Sequence, residues 1–285
     1  GVIGISGDPE EVRAYAELVR MTAELILEQA ALTEQLQWDK RHKEELVLQL
    51  IRGEGRADQL QQAARFLDLD LAQPRVVAVL ALEEAEPARL RELVHLLENP
   101  ERDNLVAING LDEIVVLKPA QLCDGVWQSA QERSRIKQLL ARIPHFKVRI
   151  GVGDYFAGTG GLARSYQTAR DTLRRGMSQA PRKQVYFFED YRLPVLLGSL
   201  ADSWQADQLR APLQKLAKED AKGTLQKTLR QYFLQDCDLH PCAETLFIHP
   251  NTLRYRLTRI EQITGLNFNK LDDKFLLYLG LNLDG

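Results

Sequence analysis

The residues whose types and spacing best suit a chemical task lie in one segment near the C-terminus, from Leu246 to Leu257. A short apolar helix end leads there into a tight turn, and Pro250 suits the first position of a second helix. At about 100° per residue, Leu253, Leu257 and Ile260 share one side of that helix and polar side chains share the other. Such side chains can hydrogen-bond to base edges when the helix lies in the major groove of DNA. The predicted DNA-contacting residues are His249, Asn251, Thr252, Arg254, Tyr255, Arg256, Thr258 and Arg259.

The surrounding residues are those that helix-turn-helix packing requires. Ala243 is small at the position where the first helix must approach the second closely, and Gly265 ends the second helix. Arg256 falls near the apolar boundary, so we expect it to brace the domain or contact a phosphate and not a base. Phe247 departs from the general motif, because glycine often holds that turn position. The alternative is an amphipathic terminal helix that packs on the core without touching DNA.

Composition limits the class of protein. The chain has 285 residues, of which 45% are hydrophobic and 27% charged, as in globular proteins of one to three domains. No apolar run approaches the roughly 18–20 residues that span a bilayer. Three cysteines without a CxxC pattern indicate a reducing compartment, so we expect a cytoplasmic protein that does not engage a membrane. The net charge of −3 gives no global signal for nucleic acid, so any positive charge that meets DNA must be local.

The N-terminal region has the pattern of a strand followed by a long helix. Residues 1–6 resemble a buried strand with nothing before it, and a lone strand leaves backbone groups unpaired. We therefore expect a fragment that lacks most of an N-terminal domain. No Gly or Pro occurs from Glu10 to Arg52, and two apolar stripes run along this stretch, which indicates one contact with the missing domain and one with a partner subunit in a homodimer. Two helices broken around Gln37–Arg41 are an alternative of equal standing.

The region from about residue 74 to 190 alternates strand and helix patterns. Strands are predicted at 75–82, 105–108, 114–117, 147–153 and 184–188, with helices at 88–98, 129–143 and 161–176. This order fits an α+β layer with helices over a mainly antiparallel sheet. After Pro194 the pattern is wholly helical. Connecting helices are predicted at 193–200 and 207–216, and a terminal helical domain from Gly223.

The hairpin Gly110-Leu111-Asp112-Glu113-Ile114 resembles the GGDEF signature of diguanylate cyclases, and 165–173 resembles the helix before the last strand of that family. Cyclase chemistry needs carboxylates that hold two metal ions, and a second glycine that lets the backbone approach the nucleotide. Leu111 replaces that glycine and would obstruct the nucleotide. We therefore predict a degenerate GGDEF-like domain and a protein that is not an enzyme. The alternatives are an active cyclase and a catalytically dead GGDEF-like interaction module.

Two further groups of residues are weaker candidates for binding sites. The glycine-rich stretches 151–154 and 158–161 lack the Lys-Ser/Thr of a phosphate-binding P-loop. The cysteines and histidines from Cys237 to His249 do not follow a familiar zinc spacing, so buried cysteine is the expected explanation. We predict no catalytic residue, no metal site and no cofactor.

The segment His249–Leu257, followed by Ile260, Thr264-Gly265-Leu266 and Asp272-Asp273, closely resembles the PucR-type helix-turn-helix. The wider chain resembles the carbohydrate diacid regulator family. That resemblance implies a bacterial transcriptional activator of sugar diacid utilisation genes, with double-stranded operator DNA as a partner. It also implies glucarate, galactarate or glycerate as the effector, bound by an N-terminal domain that is mostly missing here.

These observations together predict a multidomain α+β protein. Residues 1–52 form the last strand and long signalling helix of a truncated recognition domain, and 53–190 form the degenerate GGDEF-like α/β domain. A helical linker at 191–222 leads to an all-α helix-turn-helix domain at 223–285.

Overall fold

The computed structural model describes residues 9–83, 86–98, 103–158 and 160–283, with side chains from Tyr15 onward. The chain divides into two compact units. The first holds the residues up to Val148 together with Tyr155–Tyr166, and the second holds Arg149–Asp154 and the residues from Gln167 onward. The strand predicted at 1–6 lies outside the described residues. None of the described helices is both long and apolar enough to cross a membrane.

The first unit begins with α1, a single helix of 44 residues from Pro9 to Arg52. It continues without a break through the polar residues around position 39, so the two-helix alternative is wrong. One local reason is that the rings of Trp38 and His42 stack one turn apart, with centroids separated by 3.7 Å. The helix ends where Gly53 adopts φ +67°, a left-handed conformation that favours glycine at a helix end.

The C-terminal turns of α1 are buried and the rest of the helix is largely exposed. Leu46, Val47 and Ile51 are buried, and Leu46 packs against Ala64 and Leu67 at the end of α2 (Ala57–Phe66). Helix α2 was not predicted, although Ala57, Leu60 and Ala64 recur along it at helical spacing.

Three predicted strands of the first unit pair as antiparallel neighbours in the order β2-β3-β1. They are β1 (Arg75–Leu82), β2 (Leu105–Ile108) and β3 (Glu113–Pro119). Strands β2 and β3 form the predicted hairpin, with Ile108 opposite Ile114. Helices α3 (Pro87–Leu97) and α4 (Ser129–Arg142) agree with prediction to within about a residue at each end.

A two-stranded hairpin of β4 (Leu122–Cys123) and β5 (Val126–Trp127) was missed, although its turn carries a recognisable signal. The turn residues Asp124 and Gly125 have φ values of 51° and 77°. Asp-Gly with two positive φ angles is a favoured hairpin turn. The strands are too short for an alternating pattern to show in the sequence.

The second unit contains a parallel strand pair, β6 (Val148–Val152) with β7 (Val185–Phe187). The expectation of a mainly antiparallel sheet is therefore wrong for these two strands. They run parallel because α5 (Gly161–Gln179) connects them as a crossover helix.

Two glycines, Gly176 within α5 and Gly151 on β6, allow close packing. Helix α5 was predicted to stop at Gly176, yet it continues to Gln179. A Cβ atom at Gly176 would overlap the ring of Tyr186. A Cβ atom at Gly151 would stand 2.6 Å from the Cβ atom of Leu173. Gly151 therefore brings β6 and α5 close together, which accounts for it without a phosphate.

The rest of the second unit is helical. A 3-10 helix (Phe188–Asp190) leads into six α-helices: α6 (Arg192–Gly198), α7 (Trp204–Glu219), α8 (Thr224–Leu234), α9 (Leu239–Thr245), α10 (Pro250–Thr264) and α11 (Leu271–Leu283).

Helices α6 and α7 are structural parts of this unit. Leu216 of α7 is fully buried in the same cluster as Leu253 of α10 and Leu277 of α11. Leu197 of α6 packs with Leu283 of α11. The two helices predicted within 191–222 are therefore present and contribute buried side chains to the helical core, while the boundaries of that segment as a linker stay a prediction.

Candidate nucleic-acid interface

Helices α9 and α10 and the turn between them form the predicted helix-turn-helix. His249 is the N-cap of α10, and its Nδ1 atom accepts a hydrogen bond from the backbone N–H of Asn251 at 3.2 Å. Pro250 follows at the first helical position, where its missing N–H costs nothing. At the other end, Gly265 caps α10 with φ +75°. His249 therefore sets where α10 begins.

One side of α10 is the predicted packing surface. Leu253, Leu257 and Ile260 are buried, in the same cluster as Cys242 and Ala243 of α9. Burial raises the pKa of the Cys242 thiol above its ordinary value, which disfavours the thiolate that zinc binding requires. Among the residues that the structure describes, no group of three or more His, Cys, Asp and Glu is placed to hold a metal ion.

The opposite side of α10 is exposed to solvent. Tyr255 exposes 71% of its surface, although an aromatic side chain is usually at least half buried. Arg254 Nη1 donates a hydrogen bond to Asn251 Oδ1 at 3.0 Å, which orients the Asn251 amide. The predicted contact residues on this exposed face are Asn251, Thr252, Arg254, Tyr255, Thr258 and Arg259.

Arg256 stands apart from that face and is half-buried. Its Nη1 atom donates to Thr228 Oγ1 at 3.3 Å, and Thr228 is fully buried on α8. Thr228 in turn donates to the carbonyl oxygen of Thr224 at 2.8 Å. Of the two roles expected for Arg256, the structure shows the bracing one, in which the guanidinium holds α10 against α8.

Arg259 has an acidic partner that sequence reasoning missed. Its Nη2 atom lies 3.1 Å from Glu219 Oε2 at the end of α7, and Nη1 donates to Gln262 Oε1 at 3.3 Å. Both charged side chains are about half exposed, so solvent screening limits such a pair to about 0–1 kcal/mol. A phosphate can therefore replace Glu219 at little cost. Local spacing could not have revealed this partner, because forty residues separate the two side chains.

Side-chain hydrogen bonds to Glu113 hold the GGDEF-like hairpin in place. Leu111 lies at its tip with 87% of its surface exposed, at the position where the cyclase signature has glycine. The Glu113 carboxylate accepts hydrogen bonds from the Tyr166 hydroxyl at 2.8 Å and from Asn109 Nδ2 at 2.7 Å. These bonds tie the hairpin to α5 and leave less of that carboxylate available for a metal ion.

Comparisons with known proteins extend over the whole chain. Successive regions match family models for sugar diacid recognition (residues 1–50), a GGDEF-like domain (52–175) and the PucR C-terminal helix-turn-helix domain (225–283). A carbohydrate diacid regulator of Escherichia coli (strain K12) is 44% identical over 293 residues, which cover 100% of this chain and 76% of that protein.

Two other relatives share this extent. An uncharacterized protein of Haemophilus influenzae is 46% identical over 288 residues, with the same coverage of 100% and 76%. The uncharacterized protein YsfB of Bacillus subtilis is 26% identical, covering 98% of this chain and 74% of its own.

These relationships confirm the predicted α+β class, with a GGDEF-like domain followed by a PucR-type helix-turn-helix, and the prediction that the chain is a regulator and not an enzyme. The full-length similarity to the Escherichia coli protein decides the family, and the chain belongs to the carbohydrate diacid regulator family.

Proposed function

We propose that this chain, a transcriptional regulator of carbohydrate diacid metabolism, reads operator DNA with the exposed face of α10 and answers to glucarate, galactarate or glycerate. The observation that carries the proposal is the two-sided character of α10. Its apolar side chains are buried in the helical core, while amide, hydroxyl, guanidinium and phenol groups are left in solvent. That is the arrangement by which a recognition helix presents side chains to base edges.

Charge alone does not give this region strong affinity for DNA. Residues 221–285 contain eight Lys and Arg against seven Asp and Glu, a balance of +1. Binding must therefore combine local charge, base contacts from the Asn251 and Tyr255 face, and the pairing of two half-sites by a dimer. The operator and the regulator meet in the cytoplasm. There, effector binding to the sugar diacid recognition domain reorients α1, and the new orientation of α1 sets the distance between the two helix-turn-helix domains of the dimer.

Asn251→Ala and Tyr255→Ala should each weaken binding to the specific site by roughly 1–3 kcal/mol and leave binding to random DNA nearly unchanged. The reason is that groups which read base edges contribute only on the correct sequence. Arg259→Ala should weaken both and reduce the salt dependence by about one phosphate contact.

Fluorescence-anisotropy titrations over a series of salt concentrations measure these effects, with a probe footprinted from the DNA upstream of the chain's own gene. The control is Lys274→Ala, a change on α11 that removes a positive charge outside the proposed face. If the Asn251 and Tyr255 variants bound this probe as tightly as the parent chain, α10 would not be the reading helix.

The exposed surface of α1 supports the homodimer. Both predicted apolar stripes remain in solvent along most of the helix, which is unusual for side chains of this size and number. More than half of the surface is exposed at Tyr15 and Ile26 of one stripe and at Leu18, Met21, Leu25, Leu32 and Leu36 of the other. Leu27 is exposed as well but lies outside both stripes.

The second prediction is that the chain self-associates through this surface. Leu25→Asp and Leu32→Asp should each shift sedimentation at micromolar concentration from dimer toward monomer, because a charge in an apolar helix pair loses its hydration. Ala31 lies on the side of α1 away from both stripes, so Ala31→Asp should leave the dimer intact. A parent chain that stays monomeric at high micromolar concentration would contradict the prediction.

A further inference from the structure

The turn between α9 and α10 contains a residue that the packing of the protein does not explain. Phe247 exposes 95% of its surface, more than any other large apolar side chain in the described part of the chain. It also adopts φ +54°, in the left-handed region that favours glycine. An exposed aromatic side chain on a strained backbone stabilises nothing in the free protein.

The hydrogen bonds at the end of α9 show why the backbone needs this conformation. The N–H of Phe247 donates to the Glu244 carbonyl at 3.0 Å, and the N–H of Ile248 donates to the Ala243 carbonyl at 3.0 Å. This pair of bonds is the Schellman ending of a helix, in which the residue after the C-cap turns left-handed. Glycine is the usual occupant, because it has no Cβ atom to clash with its own backbone.

Other positive φ angles in the described residues have clearer reasons. Apart from glycine, they belong to Asp68, Asp103, Asp124, Asp236 and Cys237. Aspartate tolerates the left-handed region because its carboxylate can hydrogen-bond to nearby backbone, and Cys237 packs against the helical core. Phe247 has neither compensation. Ile248, the next residue, makes the apolar contact with the core.

The position of Phe247 indicates what its ring could meet. It precedes His249, the N-cap of α10, by two residues, so it lies at the end of α10 that approaches base edges in helix-turn-helix proteins. An apolar side chain at that end reads the C5-methyl group of thymine, which protrudes into the major groove. We propose that Phe247 is a specificity-determining residue whose ring packs on a thymine methyl group in each half-site.

This inference rests on the proposed DNA-binding function and adds a base preference to it. It accounts for both unusual properties of Phe247 at once. Strain in the free protein is retained because the ring loses its exposure only in the complex. The inference therefore predicts that stability rises and specific affinity falls when glycine replaces Phe247, because that change removes both the ring and the strained backbone.

Two substitutions separate the ring from the backbone. Phe247→Gly removes the ring and the strain, so the thermal midpoint should rise by about 2–5 °C. Phe247→Ala removes the ring but keeps a Cβ atom at positive φ, so it should not give that rise. Both variants should lose roughly thirty-fold in affinity for the footprinted operator, the lower end for one lost base contact in each of two half-sites. Phe275→Ala, which removes a half-exposed ring from α11, is the matched control and should bind as the parent does.

The base partner is identified by replacing thymines of the footprint with deoxyuridine, one position at a time and in both half-sites together, which removes only the methyl groups. One replacement per half-site should weaken the parent chain by about the same factor as the ring deletion, and should have no effect on Phe247→Ala. That loss of additivity supports a direct contact between ring and methyl group.

Parent affinity in Phe247→Gly overturns the inference, as does equal sensitivity of the parent and Phe247→Ala to every deoxyuridine replacement. Unchanged operator binding with reduced transcription would assign the ring to a protein partner and would also overturn it. If the parent chain did not distinguish the footprinted DNA from random DNA, the proposed function would fail first, and the unsubstituted protein alone would reveal that.

Discussion

Leu253→Ala is expected to lower the free energy of unfolding of the C-terminal helical unit by about 2–5 kcal/mol. Leu253 is fully buried in the cluster that joins α7, α8, α9, α10 and α11. Removing most of its side chain loses apolar burial and leaves a cavity, because the surrounding helices are fixed by their own contacts and cannot collapse into the space.

The adjacent Thr252 supplies a matched control, because it precedes Leu253 in α10 and is exposed. Thr252→Ala should change stability by no more than about 0.5 kcal/mol. Urea denaturation followed by circular dichroism at the helical band measures both. A Leu253→Ala variant as stable as Thr252→Ala would mean that α10 is not packed on this core, and the division into a buried and a reading face would then be incorrect.

Gly176→Ala is expected to destabilise the second unit by about 1–3 kcal/mol, although alanine normally favours a helix over glycine by roughly 0.5–1 kcal/mol. A Cβ atom at this position would overlap the fully buried ring of Tyr186. That ring cannot move aside, because its hydroxyl is held 2.6 Å from the Lys183 carbonyl oxygen and 3.0 Å from that of Ala180.

Gly198, near the end of α6, tests whether the effect comes from the contact. A Cβ atom there would meet only the flexible guanidinium of Arg175, at 3.4 Å. Gly198→Ala should therefore leave the stability of the protein unchanged or raise it slightly. Thermal denaturation followed by circular dichroism measures the effect of both substitutions. If Gly176→Ala raised the melting temperature as well, the close approach of α5 to β7 would be contradicted.

Helix α10 was predictable because its determinants are local. The apolar residues of α10 recur with helical spacing, His249-Pro250 marks the start and Gly265 marks the end, so the buried and exposed sides follow from the sequence alone. The strands β1, β2 and β3 were predictable for a similar reason, since β-branched apolar runs flank an Asn-Gly turn.

The features that could not be predicted depend on residues far apart in the sequence. The pairing of Arg259 with Glu219 and of Glu113 with Tyr166 joins side chains that only the tertiary fold brings together. Gly176 was interpreted as a helix stop because the sequence does not show the aromatic ring that packs over it. The assignment of the exposed residues of α10 to DNA contacts remains a prediction, as do the domain boundaries.

The unequal burial of α1 gives the helix mechanical leverage. With about 1.5 Å of rise per residue, its 44 residues form a rod of roughly 66 Å, and among its described side chains, from Tyr15 onward, the buried ones lie in the C-terminal turns. If α1 tilted by about 10° about its buried C-terminal turns, its N-terminal end would move by roughly 11 Å over that length. A small force at the N-terminal end of α1 therefore acts through a long lever arm on the packing of Leu46, Val47 and Ile51. The helix transmits this force without kinking, because it contains no glycine and no internal proline.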